Sequence, residues 1–261
     1  MSSVAYGQVD LDYISDSILN EATTMYKLEK ASWKSTDYLL YNYSKRYIKR
    51  NVDGYLSYEK GDSVISIYWE INDTMLLIKN TFRYRNEYSL QEFTHDHIPR
   101  QPNKQESDLI SIHDNIVNDI VKNSGFYYKP TGSNYNIILM NKGNDYRAYL
   151  LIGFKKKNVV PLGNDYQIEL NAKGEITSRV RLHNSYLETP FTGGMKFKDS
   201  KISEVYHTHF DKIPFITTTD ICNVMLYKEF IEWGGLVIVS KYISEYNTIE
   251  NTLKIKKYDP K

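Results

Sequence analysis

The sequence predicts an α+β protein: N-terminal helices lead into an antiparallel meander, and a mixed sheet with flanking helices follows. Three observations predict it. Apolar residues recur at helical spacing over residues 11–48 and again over 106–123. Short runs rich in Val, Ile, Leu, Tyr and Trp are punctuated by Asn-Asp and Gly-Asn-Asp turn signals. A polar stretch at 94–105 holds Pro99 and Pro102 and separates the two halves, giving expected domains of 1–100 and 106–261.

Taken in order, Ile14, Ile18, Leu19, Ala22, Met25, Tyr26 and Leu28 form the apolar face of a first helix. Ser35-Thr36-Asp37 offers a cap for a second, short helix through Tyr38, Leu39, Leu40 and Tyr43. The period then changes. Ser63–Glu70 and Met75–Lys79 flank Asn72-Asp73 as a hairpin, and Glu59-Lys60-Gly61-Asp62 turns the chain before it. A helix near 106–123 carries the stripe Leu109, Ile112, Ile116, Val117 and Ile120, and ends at Ser124-Gly125. The tetrapeptide Gly-Asn-Asp-Tyr occurs at 143–146 and at 163–166. Each copy reads as a turn feeding a strand, Ala148–Phe154 and Gln167–Leu170, within one meander. Further strands are expected at Ile176–Leu182, Ser203–His207, Leu236–Tyr242 and, at an edge, Thr252–Lys256. A helix is expected over Thr218–Trp233, stopped by Gly234-Gly235.

Composition excludes more than it names. The 261 residues include 33 basic and 32 acidic side chains, a net charge of +1. Nucleic acid is therefore not an expected partner, because phosphate recognition needs a basic surplus. The clusters Lys45-Arg46, Lys49-Arg50 and Lys155-Lys156-Lys157 read as solvated turns and helix ends. The 24 tyrosines suit half-buried strands and interfaces. A single cysteine, Cys222, allows no internal disulfide and reads as a buried structural thiol. No apolar run approaches the roughly 20 residues of a membrane helix. Ala5 and Gly7 before Gln8 resemble the small residues of a secretory cleavage site, so the chain reads either as exported, to periplasm or medium, or as cytoplasmic.

One stretch concentrates chemistry: His207-Thr208-His209, then Thr217 and Asp220. On a strand, residues i and i+2 point to one side, so His207 and His209 present both imidazoles to one face. Thr217 is a good helix N-cap with Asp220 at the third helical position, from which a carboxylate can point back toward the strand. Two imidazoles, a carboxylate and an open fourth position make a hydrolytic zinc arrangement, in which the pKa of bound water falls to about 7. The same residues also read as a strand, a turn and a helix cap, since Thr-x-x-Asp is itself a helix-start signature. His183, at the end of a strand shortly before, is a candidate third nitrogen ligand or a supporting group, or else a surface histidine. His95-Asp96-His97 reads as a solvated loop, and His113 carries no local pattern.

The spacing His207-x-His209-x7-Thr217-x-x-Asp220 resembles the signature of the JAB/MPN metalloproteases, the JAMM motif. The order from Glu204-Val205-Tyr206 through the helix into Gly235–Ser240 is similar to that family's core. The resemblance covers the C-terminal part only. It implies zinc bound by His207, His209 and Asp220, with Thr217 standing where the family's Ser helps hold the oxyanion. It also implies hydrolysis of a peptide or isopeptide bond in a peptide or protein substrate. Thr replaces Ser, and Phe210 stands where many members have Pro. The family's general base is an upstream Glu; Glu169, Glu175 and Glu188 are candidates by distance alone. Two functions follow from the resemblance: a zinc hydrolase, or a catalytically degenerate binding or scaffolding module that keeps the metal. A histidine-lined cleft for a small ligand is a third reading of the residues.

Overall fold

The computed structural model describes residues 10–73, 75–85, 90–153, 157–191 and 204–259. These form an α+β protein with antiparallel and mixed sheets. Residues 1–8, with the cleavage-site resemblance, lie outside the described residues, as do Lys155 and Lys156. No helix among the described residues is long and apolar enough to cross a membrane.

The chain forms two compact units. The larger comprises Thr24–Lys157 and Pro161–Glu188; the smaller comprises Met1–Thr23, Asn158–Val160 and Thr189–Lys261. Within the larger unit Leu56, Ile67 and Ile78 join Leu109, Ile112, Ile116, Leu150 and Ile168 in one apolar cluster. Burying each such side chain contributes about 2 kcal/mol.

Helix α1 (Leu11–Asn42) is continuous through Ser35-Thr36-Asp37. The expected cap does not act as one, because Ser35 Oγ donates to the Ala31 carbonyl one turn back and pairs with Tyr84 Oη at 2.8 Å. The second helix, α2 (Lys45–Asn51), starts later and is capped by Ser44. Strands β1 (Gly54–Lys60), β2 (Ser63–Asn72), β3 (Met75–Arg85) and β4 (Phe93–Asp96) form an antiparallel sheet in that order. β4 corrects the expected loop around His95. The His95 ring stacks on Phe82 at 4.3 Å, and its Nε2 meets Asn80 Oδ1 at 2.9 Å. Burial, with the neighbouring His97, lowers the His95 pKa. Helix α3 (Lys104–Lys122) opens on a capping box made by Asn103 and Glu106. It buries Leu109, Ile112 and Ile116 and leaves Val117 exposed.

β5 (Asn134–Lys142) and β6 (Asp145–Gly153) form a hairpin across the first Gly-Asn-Asp-Tyr turn. After β7 (Val159–Gly163), the second copy feeds β8 (Tyr166–Leu170), which pairs with β6 and with β9 (Ile176–Arg181). The second turn requires glycine. Gly163 has φ +85°, and a Cβ there would stand 2.2 Å from the Ser185 carbonyl oxygen. β10 (Tyr186–Pro190) pairs with β7 as a separate ladder.

In the smaller unit, β11 (Glu204–Thr208) leads through α4 (Thr218–Tyr227) to β12 (Gly235–Val239), β13 (Tyr242–Asn247) and β14 (Thr252–Lys257). β11 runs parallel to β12 and the rest are antiparallel, which makes the expected mixed sheet with β14 at an edge. The expected strand Leu236–Tyr242 divides at Ser240-Lys241 into β12 and β13. α4 stops at Tyr227 rather than Trp233. Phe230 stacks on Phe191 with rings 5.8 Å apart, and the Glu232 N–H donates to the Phe191 carbonyl, so the chain leaves the helix before the glycines.

Candidate metal centre

β11 and α4 place the site. The burial of β11 alternates: Glu204, Tyr206 and Thr208 are exposed, while Val205 and His207 turn inward. His209 follows the strand's last residue, yet its N–H still donates to the Val239 carbonyl of β12 at 3.2 Å. The pleat therefore carries on for one more residue and both imidazoles share a face. A short loop then brings Thr217 to the start of α4. That loop is pinned at its end: the Ile216 N–H donates to Ser244 Oγ at 3.1 Å, and Ser240 Oγ donates to the Pro214 carbonyl.

At the helix start Thr217 and Asp220 form a capping box. The Asp220 N–H donates to Thr217 Oγ1 at 3.2 Å. Asp220 Oδ2 accepts from the Thr217 N–H at 2.9 Å and from Thr217 Oγ1 at 2.7 Å. These bonds fix the carboxylate in a place where Asp220 has no solvent exposure. A buried carboxylate is costly unless donors or cations answer it.

The histidines complete the group. His207 Nε2 lies 3.0 Å from His209 Nε2 and 3.7 Å from Asp220 Oδ1; His209 Nε2 lies 3.4 Å from Asp220 Oδ2. His209 Nδ1 is 2.8 Å from the Phe215 carbonyl oxygen. A carbonyl only accepts, so Nδ1 carries the proton and the Nε2 lone pair points at the other two donors.

The donor set fits a metal ion. A tetrahedral zinc with bonds of about 2.0–2.1 Å needs donors about 3.3–3.4 Å apart. The two Nε2 atoms are 3.0 Å apart, and one lies 3.7 Å from Asp220 Oδ1 and the other 3.4 Å from Asp220 Oδ2, distances near that edge on the two oxygens of one carboxylate. Imidazole and carboxylate together suit several divalent ions, so the donors establish a metal-capable group and leave the element open. Phe215 supplies the outer hydrogen bond that usually orients a metal-bound histidine. No sequence signal could have found it, because only its backbone carbonyl takes part.

The other candidates fall as follows. His183 belongs to the larger unit, where it is buried and its Nδ1 lies 3.6 Å from Asp165 Oδ2. It is not a surface histidine. Glu169, Glu175 and Glu188 also belong to the larger unit. Glu169 accepts from Arg147 and Gln167, and Glu175 from Asn171. No glutamate belongs to the metal-capable group among the described residues. Cys222 is fully buried on α4, as a structural thiol would be. His113 lies edge-on to Trp69 in the larger unit.

No family model matches the sequence, and comparison with curated proteins and with solved structures finds no significant match.

Proposed function

We propose that the protein is a zinc-dependent hydrolase of peptide or isopeptide bonds, similar in its site to the JAB/MPN metalloproteases. The convergence of His207 Nε2, His209 Nε2 and the Asp220 carboxylate, each within 3.0–3.7 Å of the next, carries this reading. Zinc held there would supply Lewis acidity and a nucleophilic water at neutral pH. His207 and His209 would bind through Nε2, and Phe215 would hold the His209 ring in the required tautomer. Thr217 would position Asp220 through its hydroxyl and, on a bound substrate, turn toward the developing oxyanion.

The second reading is a binding or scaffolding module that keeps the metal without the chemistry. Two observations favour it. Among the described residues the group holds no glutamate to move a proton, and the Thr217 hydroxyl is engaged with Asp220. Zinc-loaded protein incubated with an isopeptide-linked substrate separates the two. Cleavage abolished by His207→Ala supports the hydrolase; stoichiometric zinc with no cleavage of peptide or isopeptide substrates supports the module.

A further inference from the structure

One face of the first sheet carries a second candidate site in the larger unit. A cavity of about 350 Å³ is lined by Tyr58 and Lys60 of β1, Ile65 of β2, Thr81 and Arg83 of β3, Thr94 and Asp96 of β4, and then Arg100, Asn103 and Glu106. Strand register explains the floor. Tyr58 opposes Ile65, Ile65 opposes Arg83, and Arg83 opposes Thr94, so one row crosses all four strands. Thr81 opposite Asp96 makes the next row on that face. The intervening residues Phe82 and His95 pack with Tyr38 on the other face.

The charges are unequal. Glu106 is neutralised by a two-pronged contact with Arg100, at 2.7 Å on each oxygen, and also accepts from Tyr58 at 3.0 Å. Asp96 accepts the Ile98 N–H at 2.9 Å. Lys60 and Arg83 have no ion-pair partner among the described residues and stand at the same mouth. Thr81 Oγ1 accepts from Arg100, which leaves its own proton to donate, and the Thr94 hydroxyl stands beside Arg83 in register. A pocket lined mainly by polar groups suits a polar ligand, and a guanidinium, an ammonium and two hydroxyls around one cavity match a tetrahedral oxyanion.

We propose that this cavity binds a phosphate group, carried by a small phosphate ester or present as the free ion. Lys60 and Arg83 hold its charge, and Thr81 and Thr94 donate to its oxygens. The cavity exceeds a lone phosphate, so an attached organic group has room.

The test is titration of the full chain with inorganic phosphate and, separately, ethyl phosphate at constant ionic strength, followed by amide NMR. Saturable shifts at Lys60, Thr81, Arg83 and Thr94 are expected. The doubly substituted Lys60→Gln, Arg83→Gln protein should lose them while the rest of its spectrum is kept, since both side chains are exposed. Arg83→Lys, which keeps the charge and loses the fork, should bind about tenfold more weakly. Tighter binding of ethyl phosphate identifies an ester as ligand, and tighter binding of inorganic phosphate identifies the free ion. Absence of saturation, or shifts undiminished in the double variant, would overturn the proposal.

Discussion

His209 Nδ1 stands 2.8 Å from the carbonyl oxygen of Phe215, and this one contact decides what the other ring nitrogen can do. It fixes the Nδ1–H tautomer and aims a lone pair at His207 and Asp220. Nitrogen-15 NMR of metal-free protein should therefore find His209 protonated at Nδ1 when neutral. Zinc should move the Nε2 resonance and leave Nδ1 protonated. A neutral Nε2–H tautomer would contradict the reading.

Thr217 serves the helix and the carboxylate at once. Thr217→Ala should cost about 1 kcal/mol in urea unfolding through loss of the cap. It should also weaken zinc binding about 10–100-fold by releasing Asp220. Thr217→Ser keeps the hydroxyl and should restore both. If Thr217 also meets the oxyanion, Thr217→Ala should lower kcat on zinc-saturated protein; an unchanged kcat would confine it to positioning.

Glu29 gives the larger unit a pH dependence. Burial raises its pKa to about 7, against hydrogen bonds from Trp33 and Asn136 that lower it. The folded protein therefore holds a proton that the unfolded chain releases near pH 4.5. The Glu29 contribution to stability falls as pH rises from about 4.5 to about 7, and is constant above that. The total loss is about 3 kcal/mol. Glu29→Gln, which keeps an acceptor for both donors, should remove this slope and be the more stable protein at pH 8 by urea unfolding. Parallel pH profiles for the two proteins would contradict it.

Glu106 is the buried half of an ion pair with Arg100 and also accepts from Tyr58 and the Asn103 N–H. Glu106→Ala leaves all three donors without their acceptor and should destabilise by about 3 kcal/mol, measured by denaturant unfolding. A change below 1 kcal/mol, within the range of an ordinary exposed pair, would contradict the buried-network account.

Local patterns in the sequence were enough to place most elements. The Asn72-Asp73 hairpin, the α3 stripe, both Gly-Asn-Asp-Tyr turns and the strand–helix–strand order around the histidines all follow from spacing and turn chemistry. What could not be read depends on distant partners. Ser35 looks like a cap until Tyr84, 49 residues away, bonds its hydroxyl inside α1. His95 looks solvated until Phe82 and Asn80 enclose it. α4 ends early because Phe191 holds Phe230. In the site, the three side chains of the metal-capable group could be read together because they lie within 14 residues of one another. The Phe215 carbonyl could not be, since any residue offers one.

The central claim is that His207, His209 and Asp220 hold a metal ion, and that it is zinc. The most direct test is elemental mass spectrometry on protein purified without chelator or nickel, beside His207→Ala and Asp220→Asn. The account predicts about one zinc per chain, lost in both variants. Protein that carries no metal and takes up none when zinc is supplied would contradict it, and would leave these residues as a strand, a turn and a helix cap.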